Sequence, residues 1–220
     1  MDFKKLSKRM AVVLIIMIMA ITVFYFSTPG QIAAADIARI DFKEGDVIFQ
    51  ISASSQSLAI QAATGSKYSH CGILFKRDGQ FYVYEAIGEV SWTPLRDWIN
   101  RGVRGHYVVM RLKDRDRLLT EARIRAMKKT GLGFSRKKYD LLFQWSDNKM
   151  YCSELVWKIY ERGAGIRIAP LKEFRDYNLD NKVVRAVVKK RYGGKLPMGE
   201  KVVAPSDLFY SPVMEKIAGN

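Results

Sequence analysis

Apolar and polar positions recur with two periods along this chain. A turn at Glu44-Gly45-Asp46 opens a strand over 47–51. A helix follows over about 57–63, with Leu58 and Ala62 on one face. Next comes the run Tyr68-Ser69-His70-Cys71-Gly72-Ile73-Leu74-Phe75, a short buried strand. Alternation sets His70, Gly72 and Leu74 on one face and Cys71, Ile73 and Phe75 on the other. The strand over 81–87 carries Glu85 with Phe81, Val83 and Ile87, and Val90 to Thr93 ends this section. Thr93-Pro94 starts a short helix to Asn100, and 105–112 is another strand. Asp114 is expected to cap one long basic helix to about Thr130, with Leu118, Leu119, Ala122 and Met127 inward. Later helices are predicted near 180–192 and after Ala204-Pro205. Strands and helices in this order make an α+β domain.

The most regular stripe lies in Tyr151-Cys152-Ser153-Glu154-Leu155-Val156-Trp157-Lys158-Ile159-Tyr160. There Cys152, Leu155, Val156 and Ile159 fall at i, i+3, i+4 and i+7. Ser146, Asp147 and Asn148 are expected to start the helix, and Gly163 and Gly165 to end it. Cys152 then sits in a first helical turn, where unpaired N–H groups and the helix dipole favour thiolate. Those N–H groups also suit an oxyanion. A small core residue would occupy the same position, so the stripe alone supports both readings.

A thiolate nucleophile needs a base, and the chain has two histidines, His70 and His106. Gly72 beside His70 leaves room for another backbone, such as a helix end, to approach. Glu85, a carboxylate on an otherwise apolar strand face, requires a partner, and an imidazole nitrogen is a suitable one. His106 follows Arg104 and Gly105 without an obvious acid and is expected to face solvent. Trp92 and Trp98 read as core or pocket wall. Gln50 and Ser52 are weaker candidates to reach a pocket.

The order His, Glu, Cys, preceded by GDVIFQIS, resembles the permuted NlpC-type papain-fold cysteine hydrolases, in particular their YiiX-like bacterial branch. SSQSLAIQAATGSKYSHCGILF, VYEAIG, TPLRDWI, YDLLFQWSD and YCSELVWKIY carry the likeness from about Gly45 to Tyr160. It implies a papain-like domain in which an antiparallel sheet packs against the helix bearing the nucleophile. It further implies Cys152 as nucleophile, His70 as base and Glu85 as the residue that orients the imidazole. The loop holding Tyr139 would border the cleft. Cofactors are not expected, and no metal-ligand cluster is visible in the sequence.

The formal net charge is +15. It suggests an anionic membrane or wall surface as neighbour, although a solvated basic face has the same composition. The long helix after Asp114, with the cluster Arg136-Lys137-Lys138, is the candidate patch. Nucleic acid is not expected, because no recognition module is present. Lys4, Lys5, Lys8 and Arg9 precede an apolar run over 10–26 and then Ala33-Ala34-Ala35. Residues 1–35 thus read as a signal peptide or, uncleaved, a membrane anchor, with a hydrolase domain over 36–220 outside the cytoplasm. Cys71 and Cys152 are expected to be free thiols, Cys71 pointing away from the face that carries His70.

The resulting expectation is an exported cysteine amidase or peptidase acting on cell-wall-related peptides or N-acyl compounds through a thioester. A membrane-associated lipid acyl hydrolase or acyltransferase, and a non-catalytic basic envelope-binding module, are the alternatives.

Overall fold

The computed structural model describes Ile37 and residues 39–220; the N-terminal segment read as signal or anchor lies outside the described residues. The frame is a six-stranded antiparallel sheet of order β4-β3-β2-β1-β5-β8. Its strands are β1 (Val47–Gln50), β2 (His70–Arg77), β3 (Gln80–Ile87), β4 (Glu89–Pro94), β5 (Tyr107–Leu112) and β8 (Met214–Gly219). β1 is apolar but for Gln50 and buried on both faces, as a central strand covered on two sides must be.

One face carries Phe49, Cys71, Ile73 and Phe75 and packs against α5 (Cys152–Ile159). The other carries Ile48, Leu74 and Val83 under α2 (Leu95–Arg101), where Trp98 and Ile99 are fully buried. Every residue of α5 is buried, including Glu154 and Lys158. Such a burial is tolerated because Lys158 Nζ reaches Glu154 Oε1 at 2.7 Å, Asp147 Oδ1 at 2.8 Å and the Ser146 carbonyl at 2.7 Å.

Beyond the frame lie α1 (Ser55–Thr64), α3 (Arg115–Leu118), α4 (Glu121–Leu132), α6 (Lys182–Tyr192) and α7 (Pro205–Phe209). A small sheet pairs β6 (Lys172–Glu173) with β7 (Lys201–Val202).

Several expectations are corrected. The helix after Asp114 is two helices, because Thr120 caps a new one by accepting the Arg123 N–H at 3.4 Å. Leu119 fills the core at the break. Leu58 points outward, and Ser57 and Ala59 are the buried residues of α1. The cap of α5 is Tyr151, while Asp147 instead clamps Lys158 and Arg162. Gly72 makes room not for a helix end but for β3, since a side chain there would run into Val83 and Glu85.

Candidate active site

β2 begins with His70, so its ring stands at an end of the sheet, beside the N-terminus of α5. Its Nε2 meets Glu85 Oε2 at 2.5 Å, and this leaves Nδ1 for Cys152. Register explains the contact. His70 and Glu85 share the face that Gly72 keeps open, as strand alternation predicts.

Glu85 is fully buried and satisfied from all sides. Thr93 Oγ1 donates to Oε1 at 2.6 Å, and Trp98 Nε1 to Oε2 at 2.8 Å. Arg101 Nη2 lies 2.7 Å from Oε1 and 2.6 Å from Oε2. Burial alone would raise its pKa, but the hydrogen bonds and charges of His70 and Arg101 outweigh that and hold it at about 2. Burial would likewise lower the pKa of His70. The charge and hydrogen bond of Cys152, helped by Glu85, instead raise it to about 9.

Cys152 is held well below the usual thiol range. A hydrogen bond from the Cys71 side chain is the largest cause. Burial opposes it, and the charge and hydrogen bond of His70 and the main-chain N–H of Cys71 add to it. Both shifts favour a thiolate on Cys152 beside a protonated His70. Burial and the neighbouring Cys152 thiolate push the Cys71 thiol the other way, well above its ordinary value.

Both cysteines are free. Parity does set Cys71 opposite His70, yet α5 lies on the Cys71 side of the sheet, so Cys71 packs beside Cys152 in one core cluster. Cys71 thus faces away from the His70 side, as expected, and toward the helix that carries Cys152. The ring of His70 reaches the same sulfur because it stands at the strand end.

Tyr139 is also brought to Cys152. Its hydroxyl is near enough to the sulfur for the Cys152 charge to raise its pKa, after burial the next cause, and it accepts from Gln56 Nε2 at 2.8 Å. Arg191 Nη2 in turn holds Gln56 Oε1 at 2.8 Å. Gln50 is not at the cavity. It is buried on the α2 side, and its Oε1 lies where a side chain on Gly102 would stand. His106 is partly buried rather than solvent-facing, with Nε2 enclosed and the ring stacked on Tyr68 at 6.1 Å.

Arg101, Thr93, Trp98 and Gln56 were not foreseen as site residues. The first three had a signal. The β3–β4 hairpin places Thr93 diagonally from Glu85, and Trp98 and Arg101 share a helix face at i, i+3. Gln56 had none, because only the tertiary fold brings α1 to Tyr139.

A cavity opens beside the sulfur. It holds about 800 Å³ of atom-free space, its open mouth included, and Cys152, Ile60, Ala63, Phe143, Val187 and Val188 are among its walls. Its lining is almost wholly apolar. Such a lining suits an apolar ligand group.

A buried helix-borne cysteine beside a histidine and a carboxylate on an antiparallel sheet is the arrangement expected of a papain-like fold, with the Cys following the His in the chain. The chain matches, over residues 41–218, the family described as permuted papain-like amidase enzymes, YaeF/YiiX, C92, and it belongs to that family. It is 42% identical over 174 residues to the uncharacterized protein YiiX of Escherichia coli strain K12, covering 79% of this chain and 85% of that protein. The crystal structure described as metalloprotein yiiX from Escherichia coli O157:H7 superposes with a TM-score of 0.77 at 42% identity, over 81% of this chain and 97% of that one. Among the described residues here, no three His, Cys, Asp or Glu side chains form a metal-ligand set. Glu85, moreover, already carries the Arg101 cation. The site does not fit a metal.

Proposed function

We propose that Cys152, His70 and Glu85 catalyse acyl transfer to water on a substrate whose acyl group is apolar. Cys152 Sγ attacks the carbonyl of an amide or ester, and the resulting oxyanion collapses with loss of the amine or alcohol. His70 gives its proton to that leaving group and then takes one from the water that hydrolyses the thioester. Glu85 holds the imidazole in orientation through Nε2. The main-chain N–H of Cys152, unpaired by its place in the first helical turn, is one oxyanion donor. The Tyr139 hydroxyl, steadied by Gln56, is the second.

The observation that carries this reading is the line Cys152–His70–Glu85 opening onto an apolar cavity. The lining favours N-acyl or lipid-like compounds over a polar wall peptide, which would leave its amides without partners there. Residues 1–35 are proposed to direct export, checked by mass spectrometry of the protein's N-terminus. The activity is tested with fluorogenic N-lauroyl and N-acetyl amino-acid amides and a wall-derived peptide. Hydrolysis that requires Cys152 and prefers the lauroyl compound is expected. Preference for the wall peptide would reject the acyl reading, and turnover surviving Cys152→Ala would reject the nucleophile.

A further inference from the structure

We propose that the outward face of α6 docks on an anionic lipid bilayer. The helix carries five cations, Lys182, Arg185, Lys189, Lys190 and Arg191, and no acid. The first four are exposed, and among the described residues none of the five pairs with a carboxylate. Arg191 is committed instead to Gln56 Oε1 and to the Leu141 carbonyl, at 2.8 and 2.9 Å.

The patch that composition alone suggested behaves differently. Around α3 and α4, Arg115 pairs with Asp116, Arg117 with Asp114, Arg125 with Glu121 and Lys128 with Glu44. Lys138 beyond them pairs with Glu89. Arg123 and Lys137 reach main-chain carbonyls, and Lys129 and Arg136 have no carboxylate partner among the described residues. Five of the nine cations of that patch are thus paired with acids, whereas none of those of α6 is.

Anionic headgroups are the partner that fits. Exposed Val183 sits within the basic face of α6, and exposed Leu58 and Leu141 belong to the two segments that contact this helix, α1 and the loop held by Arg191. Cations flanked by isolated apolar side chains suit the headgroup region of a bilayer. The opposite side of α6 is a wall of the cavity, through Val184, Val187 and Val188. Docking would therefore set the cavity next to the source of an acyl chain. The inference stands on charge and exposure and does not require the proposed activity.

The test uses the full chain reconstituted into phosphatidylcholine vesicles, with and without one-third phosphatidylglycerol, read by main-chain hydrogen exchange. Phosphatidylglycerol should slow exchange in α6 severalfold but not in α4. The slowing should disappear in high salt and in a K182E/R185E/K189E variant whose α5 still exchanges as slowly as before. Equal α6 exchange on both vesicles would overturn the proposal. Equal slowing in α4 and α6 would also overturn it, by assigning the attraction to net charge. So would equal protection by soluble dextran sulfate, which would assign α6 to a polyanion rather than a bilayer.

Discussion

Glu85 Oε2 and His70 Nε2 are 2.5 Å apart, and that carboxylate is also the acceptor for Thr93, Trp98 and Arg101. Four residues from β2, β4 and α2 thus converge on one buried acid. These bonds fix the orientation of the carboxylate and, through it, that of the imidazole.

Glu85→Gln keeps the shape of this node and removes the charge that supports the imidazolium. Turnover should fall by about 10²- to 10⁴-fold, by analogy with the orienting acid of other triads. The pKa of His70 should drop below its present value of about 9, so the alkaline limb of the pH profile should move to lower pH. Steady-state kinetics across pH, with circular dichroism to confirm folding, measure both. Unchanged turnover would remove Glu85 from the mechanism.

Thiol reactivity gives a second test. The Cys152 pKa is depressed, so its thiolate persists below the ordinary thiol range, while Cys71 stays protonated. Iodoacetamide at about pH 6 should therefore alkylate Cys152 far faster than Cys71. His70→Ala should slow that labelling. Above pH 9 the imidazolium loses its proton. Turnover should then fall while alkylation does not, since only turnover needs the acid. Mass spectrometry of the labelled peptides decides the point.

The alternation of strand residues was enough to bring His70 and Glu85 to one face, and the helical stripe was enough to bury Cys152. Each rests on a local period. What lay beyond the sequence was which side of the sheet α5 covers, because parity relates side chains within a strand and is silent about the layer above. The nearness of Cys71 to Cys152 was therefore not legible. For the same reason Gln56, from a helix distant in sequence, could not be paired with Tyr139. The break at Thr120 was legible in principle, as a threonine followed by an acid, Glu121, is a helix-start signal. The charge pattern of a continuous basic helix hid it.

The neighbourhood of Cys71 and Cys152 predicts sensitivity to oxidants. A peroxide should oxidise the Cys152 thiolate to a sulfenic acid, which Cys71 attacks, forming the disulfide and releasing water. One equivalent of hydrogen peroxide should abolish alkylation of both thiols, and dithiothreitol should restore it. In Cys71→Ala a second equivalent of hydrogen peroxide should instead carry the Cys152 sulfenic acid to sulfinic acid, which dithiothreitol does not reverse. Peptide mapping without reduction would show the cross-link, and its absence after oxidation would reject the pairing.

Glu154 and Glu85 are both buried carboxylates near Cys152, yet their environments push them apart. Burial raises Glu154 to about 7, against the opposing pull of Lys158, whereas Glu85 is held at about 2. The sign follows from these directions. An acid raised on folding favours the native state most when protonated, so stability from Glu154 is full below its ordinary carboxylate pKa and is lost as pH rises through 7. Glu85 behaves oppositely, contributing above the ordinary carboxylate range and losing that contribution as pH falls toward 2. Glu154→Gln leaves Lys158 with Asp147 and the Ser146 carbonyl and, below about pH 7, exchanges the neutral Glu154 carboxyl for an amide that still offers Lys158 an acceptor oxygen. The cost should be about 1 kcal/mol, that of an altered buried hydrogen bond. The stability difference from wild type, measured by urea denaturation, should shrink between pH 5 and pH 8, while kcat/KM of the folded enzyme stays within about threefold. A large loss of kcat/KM in a fully folded Glu154→Gln protein would place Glu154, rather than Glu85, in the chemistry.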